Sequence, residues 1–325
     1  MKTIIYYCPN FVAPIGGVRV LYSHSQVIND LADERINSQI HHWWDPGFVY
    51  TWFEHSANRK MDSELNPDRD FVMFAESQIY TMWKDMVAQG VRYGIFAQNG
   101  YVLNANIAAD EIAECYEKAS LIVSISDDVT QCIEFLFPQH MHKLIQVHYT
   151  VDPALFHVDD ALSKRKVITY MPRKNAGHVA LVMNYLKMRL SPEWVLQPIE
   201  GLNQEGVAKA LQESSIFMAF SEFEGVPLPP VEAALCGNLV VGNHGEGGRE
   251  YWSQPIFTDI SMGNIKQFAG SVLEQVQLIE SVGMPAILEQ TAPARKALAK
   301  RYSRESELLV MRNLAERVLK TFDPA

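Results

Sequence analysis

Short apolar runs rich in β-branched residues alternate with segments of helical period, and the chain makes this alternation twice. In the first half the strand candidates are KTIIYYCP (2–9), FVMFAE (71–76), GIFAQ (94–98), LIVSIS (121–126) and KLIQVHY (143–149), with helices predicted at 18–31 and 77–89. In the second half they are KVITYMP (166–172), EWVLQPI (193–199), SIFMAF (215–220) and NLVVG (238–242), with helices near 177–190, 203–213 and 229–236. Strands this uniformly apolar are covered on both faces, and strands separated by helices pair in parallel. Two such series predict an α/β chain of two doubly wound parallel-sheet domains, divided near TVDPALFHVDD (150–160). The end of the chain reads as helical, and SRESELLVMRNLAERVLKTF (303–322) is a long amphipathic helix started by Ser303, Glu305 and Glu307. Ligands of open α/β sheets sit beyond the carboxyl ends of the strands, and two facing domains would hold one in the cleft between them.

Composition narrows the function. No apolar run approaches the roughly 18 residues a spanning helix needs. The opening MKTIIYYCPNFVAP is too short and broken an apolar run for a signal peptide, so a cytoplasmic protein is expected. Cys8, Cys115, Cys132 and Cys236 form no C-x-x-C pair and read as reduced thiols. The formal net charge is −10, with the excess of acid mainly in residues 1–150. That balance argues against a nucleic-acid partner and weakly against docking on anionic lipid.

Two strand-following loops stand out. In CPNFVAPIGGVRV (8–20), Gly16 and Gly17 precede a helix, where backbone N–H groups can approach an anion. The loop is not G-x-G-x-x-G, which disfavours a nicotinamide fold, and a plain strand–helix turn fits it equally well. In FSEFEGVPLPPVEAALCGNLVVG (220–242), Pro229 and Pro230 suit a first helical turn and place Glu232 in it. Glu224 lies on the preceding loop, and both carboxylates can face one cleft. A carboxylate in a first turn can accept two hydrogen bonds from a vicinal diol such as a ribose. Gly225 allows close approach, and the amides of Gly225 and Val226 are predicted to be open to a ligand. The spacing of two glutamates by itself is equally consistent with Glu232 completing a cap.

The full string SEFEGVPLPPVEAALCGNLVV is more specific. It resembles the E-G-x-x-x-P-x-x-E-A-x-x-x-G-x-x-V signature of retaining nucleotide-sugar glycosyltransferases with the GT-B fold, glycosyltransferase family 4. HYTVDPALF (148–156) resembles the family's crossing between domains, with Tyr149 and Thr150 where Asn-Gly is usual. NHGEGGREYW (243–252) resembles its Gly-Gly-x-E loop. The resemblance implies that Glu232 holds the donor's ribose and that Glu224 contacts the transferred sugar. Gly225 and Val226 would offer amides to the donor, and Gly16 and Gly17 would meet its diphosphate. In YMPRK (170–174), Arg173 and Lys174 end a strand and would neutralise the departing phosphate, since the family uses side-chain cations rather than a metal. The family spaces these two cations further apart. Adjacent residues point to different sides, and an exposed basic turn is the alternative.

Many family members carry a His in the first domain where this chain reads GIFAQNGYVL, with Gln98 and Asn99. Gln cannot act as a base. A retaining enzyme need not supply one, because the departing phosphate can take the acceptor's proton, and Gln98 can contact a donor or acceptor hydroxyl or cap a helix instead. Weaker signals are set against plainer readings. The aromatics of HHWWDPGFVYTWFEH (41–55) can stack on a glycan or bury against the domain. Gln139–His142 lacks a third metal ligand, and Asp127–Asp128 reads as a helix start.

The resulting expectation is a GT-B enzyme with an acceptor-side domain at 1–155, a donor domain at 156–303 and a helix at 304–325 returning to the first domain. It would move a hexose, with retention, from a nucleotide diphosphate sugar to a glycan or lipid-linked acceptor in bacterial surface polysaccharide or lipopolysaccharide synthesis. No cofactor or essential metal is expected, and a peripheral contact with the inner face of the membrane is compatible with it. A sugar-nucleotide epimerase shares the architecture but is disfavoured by the E-x7-E string. The rival from another class is a catalytically silent GT-B module that binds a glycan or a protein partner.

Overall fold

The computed structural model describes residues 1–10, 15–103, 107–159 and 163–323. Residues 11–14, ahead of the glycine pair, and Asp160 of the boundary segment lie outside the described residues. The chain divides into two units, residues 1–150 with 304–325 and residues 151–303.

The first unit holds β1 (Lys2–Cys8), α1 (Gly16–Asp30), β2 (Ile36–His42), β3 (Asp70–Ala75), α2 (Ile79–Ala88), β4 (Arg92–Ala97), α3 (Ala109–Lys118), β5 (Leu121–Ser124), α4 (Asp127–Leu136) and β6 (Leu144–Gln146). The sheet order is β2-β1-β3-β4-β5-β6, and every pair is parallel. Ile4, Ile5, Tyr6, Phe71, Phe74 and Phe96 are fully buried at its centre, as covered strands require. β2 is an addition to the predicted strands. Its sequence INSQIHH is polar at five of seven positions, which an edge strand tolerates. Buried Ser38 is satisfied by donating to the Ile4 carbonyl (3.0 Å) and pairing with Ser25 Oγ (2.9 Å).

The second unit holds β7 (Val167–Tyr170), α5 (Ala176–Lys187), β8 (Val195–Pro198), α6 (Gln204–Glu213), β9 (Ile216–Glu224), α7 (Leu228–Leu235), β10 (Leu239–Glu246), β11 (Phe257–Asp259), α8 (Ile265–Val282) and α9 (Met284–Arg301). Its order is β11-β10-β9-β7-β8, again all parallel. Alternate residues feed two cores. Phe217, Ala219 and Val240 join Phe156, Val231 and Tyr251 in one. Ile216, Met218, Phe220, Leu239 and Val241 join Val182, Phe268 and Val272 in the other. The period of two thus buries both faces of one sheet. The Val151 N–H donates to the Tyr302 carbonyl (3.0 Å), closing the unit where the chain enters and leaves it.

The last helix, α10 (Arg304–Phe322), belongs to the first unit and packs on α1. Its Glu307 is fully buried and accepts from Ser23 Oγ (3.0 Å), Arg304 Nη1 (3.3 Å) and the Thr150 hydroxyl. No helix among the described residues is long and apolar enough to cross a membrane.

Candidate active site

In the second unit the site begins where β9 ends. The strand runs past its predicted end at 220 to Glu224, because it stays paired with β10 as far as Glu224↔Glu246. Phe223 turns the chain at φ +45°, and Gly225, Val226 and Pro227 lead into α7. The Tyr251 hydroxyl donates to the Pro227 carbonyl (2.6 Å), and the Gly247 N–H donates to the Glu224 carbonyl (3.1 Å). Gly247 is there for contact. A Cβ on it would lie 1.8 Å from the Gly225 carbonyl oxygen. The loop 243–252 therefore clamps the backbone of residues 224–225 from the β10 side.

Within this frame Glu224 and Lys174 meet. Lys174 Nζ lies 2.9 Å from Glu224 Oε2, with both side chains partly buried. Both line a pocket at the carboxyl end of β9 together with Met171, Phe220, Pro229 and Pro230. The Gly225 and Val226 N–H groups donate no hydrogen bond among the described residues, although Gly225 is buried. Lys174 does not end a strand as expected. β7 stops at Tyr170, and Lys174 sits in the turn before α5, its N–H donating to the Met171 carbonyl (3.2 Å). Its neighbour Arg173 is exposed and forms no hydrogen bond or ion pair among the described residues. Of the two adjacent cations, Lys174 is the one that faces the glutamate.

Glu232 requires a correction. α7 starts at Leu228, so Pro229 is its second residue and Glu232 its fifth, in the second turn rather than the first. Glu232 is buried (6% exposed) and is not one of the residues lining the pocket that Glu224 lines.

In the first unit, Gly16 and Gly17 open α1, whose N-cap Ile15 supplies no side-chain cap. Gln98 Nε2 donates to the Gly17 carbonyl (3.0 Å), and Gln98 Oε1 would be 2.4 Å from a Cβ on Gly17. Two features read separately in the sequence are therefore one contact, and Gly17 makes room for Gln98. The capping amide is Asn99, whose Oδ1 accepts from the Tyr101 N–H (2.9 Å) and starts the 3-10 turn Gly100–Val102. Beneath both lies Glu76, which sequence reasoning missed. It is buried and accepts the Gln98 N–H (2.9 Å) and the Asn99 N–H (3.1 Å). Burial pushes its carboxyl up to about 7, and the backbone N–H groups of Gln98, Glu76 and Asn99 pull the other way. The signal was an acidic residue closing the apolar run FVMFAE, directly beyond a strand's carboxyl end.

The aromatic stretch 41–55 is mostly packed. Tyr50, His41 and His42 are buried, and the Tyr22 hydroxyl bonds His42 Nε2 (2.6 Å), while Trp44 is exposed. Ser126 caps α4 through the Val129 N–H (3.2 Å), so Asp127 and Asp128 do start a helix. His140 is buried, and no group of three His, Cys, Asp or Glu among the described residues could hold a metal ion. The four cysteines are free thiols.

Compared by sequence, the chain matches no family model and no curated protein. Its structure is similar to solved glycosyltransferases over their whole length. Sucrose-phosphate synthase from Thermosynechococcus elongatus superposes with a TM-score of 0.71 at 10% identity, covering 99% of this chain and 100% of that one. The fold is GT-B. HepE from Anabaena, solved with UDP-glucose, gives 0.65 at 11% identity over 98% of this chain and 100% of its own. The catalytic domain of starch synthase IV from Arabidopsis thaliana, bound to ADP and acarbose, gives 0.59 at 9% identity over 99% of each chain.

Proposed function

We propose that the chain is a retaining glycosyltransferase that moves a hexose from a nucleotide diphosphate sugar to a glycan or lipid-linked acceptor, in the manner of glycosyltransferase family 4. One observation carries the reading. A lysine and a glutamate are paired at the carboxyl end of β9, beside two backbone amides that have no acceptor among the described residues. Cation, carboxylate and amides are what a diphosphate joined to a polyhydroxyl ring calls for. The GT-B neighbours solved with UDP-glucose and with ADP support a nucleotide-sugar donor.

In this reading Lys174 meets the charge that develops on the diphosphate as the sugar–oxygen bond breaks. Glu224 accepts hydrogen bonds from the sugar's hydroxyls, and the Gly225 and Val226 amides fix the donor next to them. Glu232 holds the ribose, and exposed Arg173 adds positive charge at the rim. In the first unit, the amides opening α1 offer a second point of attraction for an anion. The acceptor oxygen bonds the anomeric carbon on the face the diphosphate leaves, and a departing phosphate oxygen takes the acceptor's proton. No protein base and no metal are then needed, which suits Gln98. A role in bacterial surface polysaccharide synthesis at the membrane's inner face fits a lipid-linked acceptor.

The alternative, a silent module that binds a glycan or a partner, is favoured by one detail. The Gln98 amide is already committed to Gly17. Calorimetric titration with UDP, GDP, ADP, dTDP and CDP, without added metal, decides between them. Binding of one diphosphate, weakened by Glu232→Ala, is expected. If none binds, the donor site is removed and the silent module takes first place.

A further inference from the structure

We infer that the Lys174–Glu224 pair selects the sugar-bearing donor against the bare nucleoside diphosphate. This rests on the donor reading of the same pocket. Each side chain is the other's partner at 2.9 Å, 32% and 21% exposed, against the apolar walls of Met171, Phe220, Pro229 and Pro230. Half-buried charges flanked by apolar surface do not lose a partner without cost.

A diphosphate that reaches Lys174 must displace Glu224. The carboxylate is then a half-buried anion beside added negative charge, without its cation. A donor carrying its sugar replaces both partners. Phosphate oxygens take Lys174, and ring hydroxyls donate to Glu224. The free product replaces only one. The same ion pair therefore admits donor and, once the sugar has left, favours expulsion of the diphosphate. Glu224 thus acts twice, on the sugar and against the leaving group's return.

The prediction runs against intuition. Removing the negative charge from a residue of the donor pocket should tighten nucleotide binding. Wild type, Glu224→Gln, Lys174→Ala and the double variant are titrated with UDP, GDP, ADP and dTDP, and with UDP-glucose, GDP-mannose, ADP-glucose and dTDP-glucose. Glu224→Gln is expected to bind the cognate diphosphate roughly three- to tenfold tighter than wild type, and its sugar nucleotide no tighter. The gain should vanish in the double variant, which ties it to Lys174. Unchanged or weaker diphosphate binding by Glu224→Gln, with wild-type binding intact, overturns the inference and leaves the donor reading standing. Tightening that survives in the double variant also overturns it. No binding by any of the four proteins removes the donor reading, and the inference falls with it. Glu224→Ala repeats the test should Glu224→Gln melt far below wild type.

Discussion

Gly247→Ala tests the claim that the loop after β10 clamps the floor of the candidate site. The added Cβ would lie 1.8 Å from the Gly225 carbonyl oxygen, 2.4 Å from that carbonyl's carbon and 2.5 Å from the Glu224 oxygen. Carbon and oxygen approach comfortably to roughly 3.3 Å, so the two backbones must part by on the order of 1.5 Å. Backbone cannot turn aside as a side-chain end can. The separation breaks the Gly247–Glu224 hydrogen bond, worth about 1 kcal/mol. Forced overpacking adds about 1–3 kcal/mol. The sum is about 2–4 kcal/mol, or roughly 5–12 °C in melting temperature for a unit of this size. Scanning calorimetry measures it, and hydrogen exchange should show faster opening at the ends of β9 and β10. Gly270→Ala is the control. It lies inside α8 with no atom within 4 Å of its Cβ, so it should be neutral or stabilise by up to about 1 kcal/mol. A Gly247→Ala protein that melts within a degree of wild type would refute the clamp.

Two further outcomes follow from buried carboxylates. Glu76 titrates near 7 in the folded protein against an ordinary 4.5, so the folded state keeps a proton that the unfolded chain releases in that interval. Stability attributable to it is greatest below pH 4.5 and declines as pH rises through 7, by on the order of 3 kcal/mol. Urea unfolding at pH 5 and pH 8 should show a larger loss for wild type than for Glu76→Gln, and equal losses would contradict the assignment. Glu307→Ala leaves Arg304, Ser23 and Thr150 without their shared acceptor. It should cost about 3 kcal/mol and expose α10 to limited proteolysis, whereas an uncut helix and an unmoved midpoint would contradict this.

Most strands legible in the sequence are continuous apolar runs buried on both faces, and the edge strands β6 and β8 are legible from the mixed segments KLIQVHY and EWVLQPI. β2 escaped because five of its seven residues are polar, which leaves no apolar run to read. β11 escaped because only Phe257 of its three residues is apolar. No helix is predicted at α3, whereas Asp127–Asp128 marks where α4 starts. The bounds of β9 were set too early for a physical reason. FMAF is the part a hydropathy pattern sees, but pairing with β10 carries the strand four residues further into polar sequence. That extension matters, because it makes Glu224 a strand-end residue held by main-chain bonds rather than a free loop residue.

The candidate residues are legible one at a time, and their partnerships are not. Reading the strand end from sequence puts Arg173 ahead of Lys174, and the structure pairs Lys174 with the glutamate instead. The choice comes from the turn after β7, which delivers Lys174 to Glu224, fifty residues away in sequence, and leaves Arg173 in solvent. Gly17 and Gln98 are 81 residues apart, and the glycine's use appears only when the amide is seen to occupy the space a Cβ would fill. Glu76 was hidden inside a predicted strand, since a run pattern treats its last residue as part of the run. All three cases share a cause. In parallel sheets the carboxyl ends of strands far apart in sequence converge, so the chemistry collects at junctions that no local pattern spans. A glutamate, lysine, amide or glycine directly beyond an apolar strand should therefore be read against every other strand end of its sheet before it is assigned to a loop. Applied to this sequence, that rule would have paired Glu76 with the Gln98–Asn99 backbone and Lys174 with Glu224.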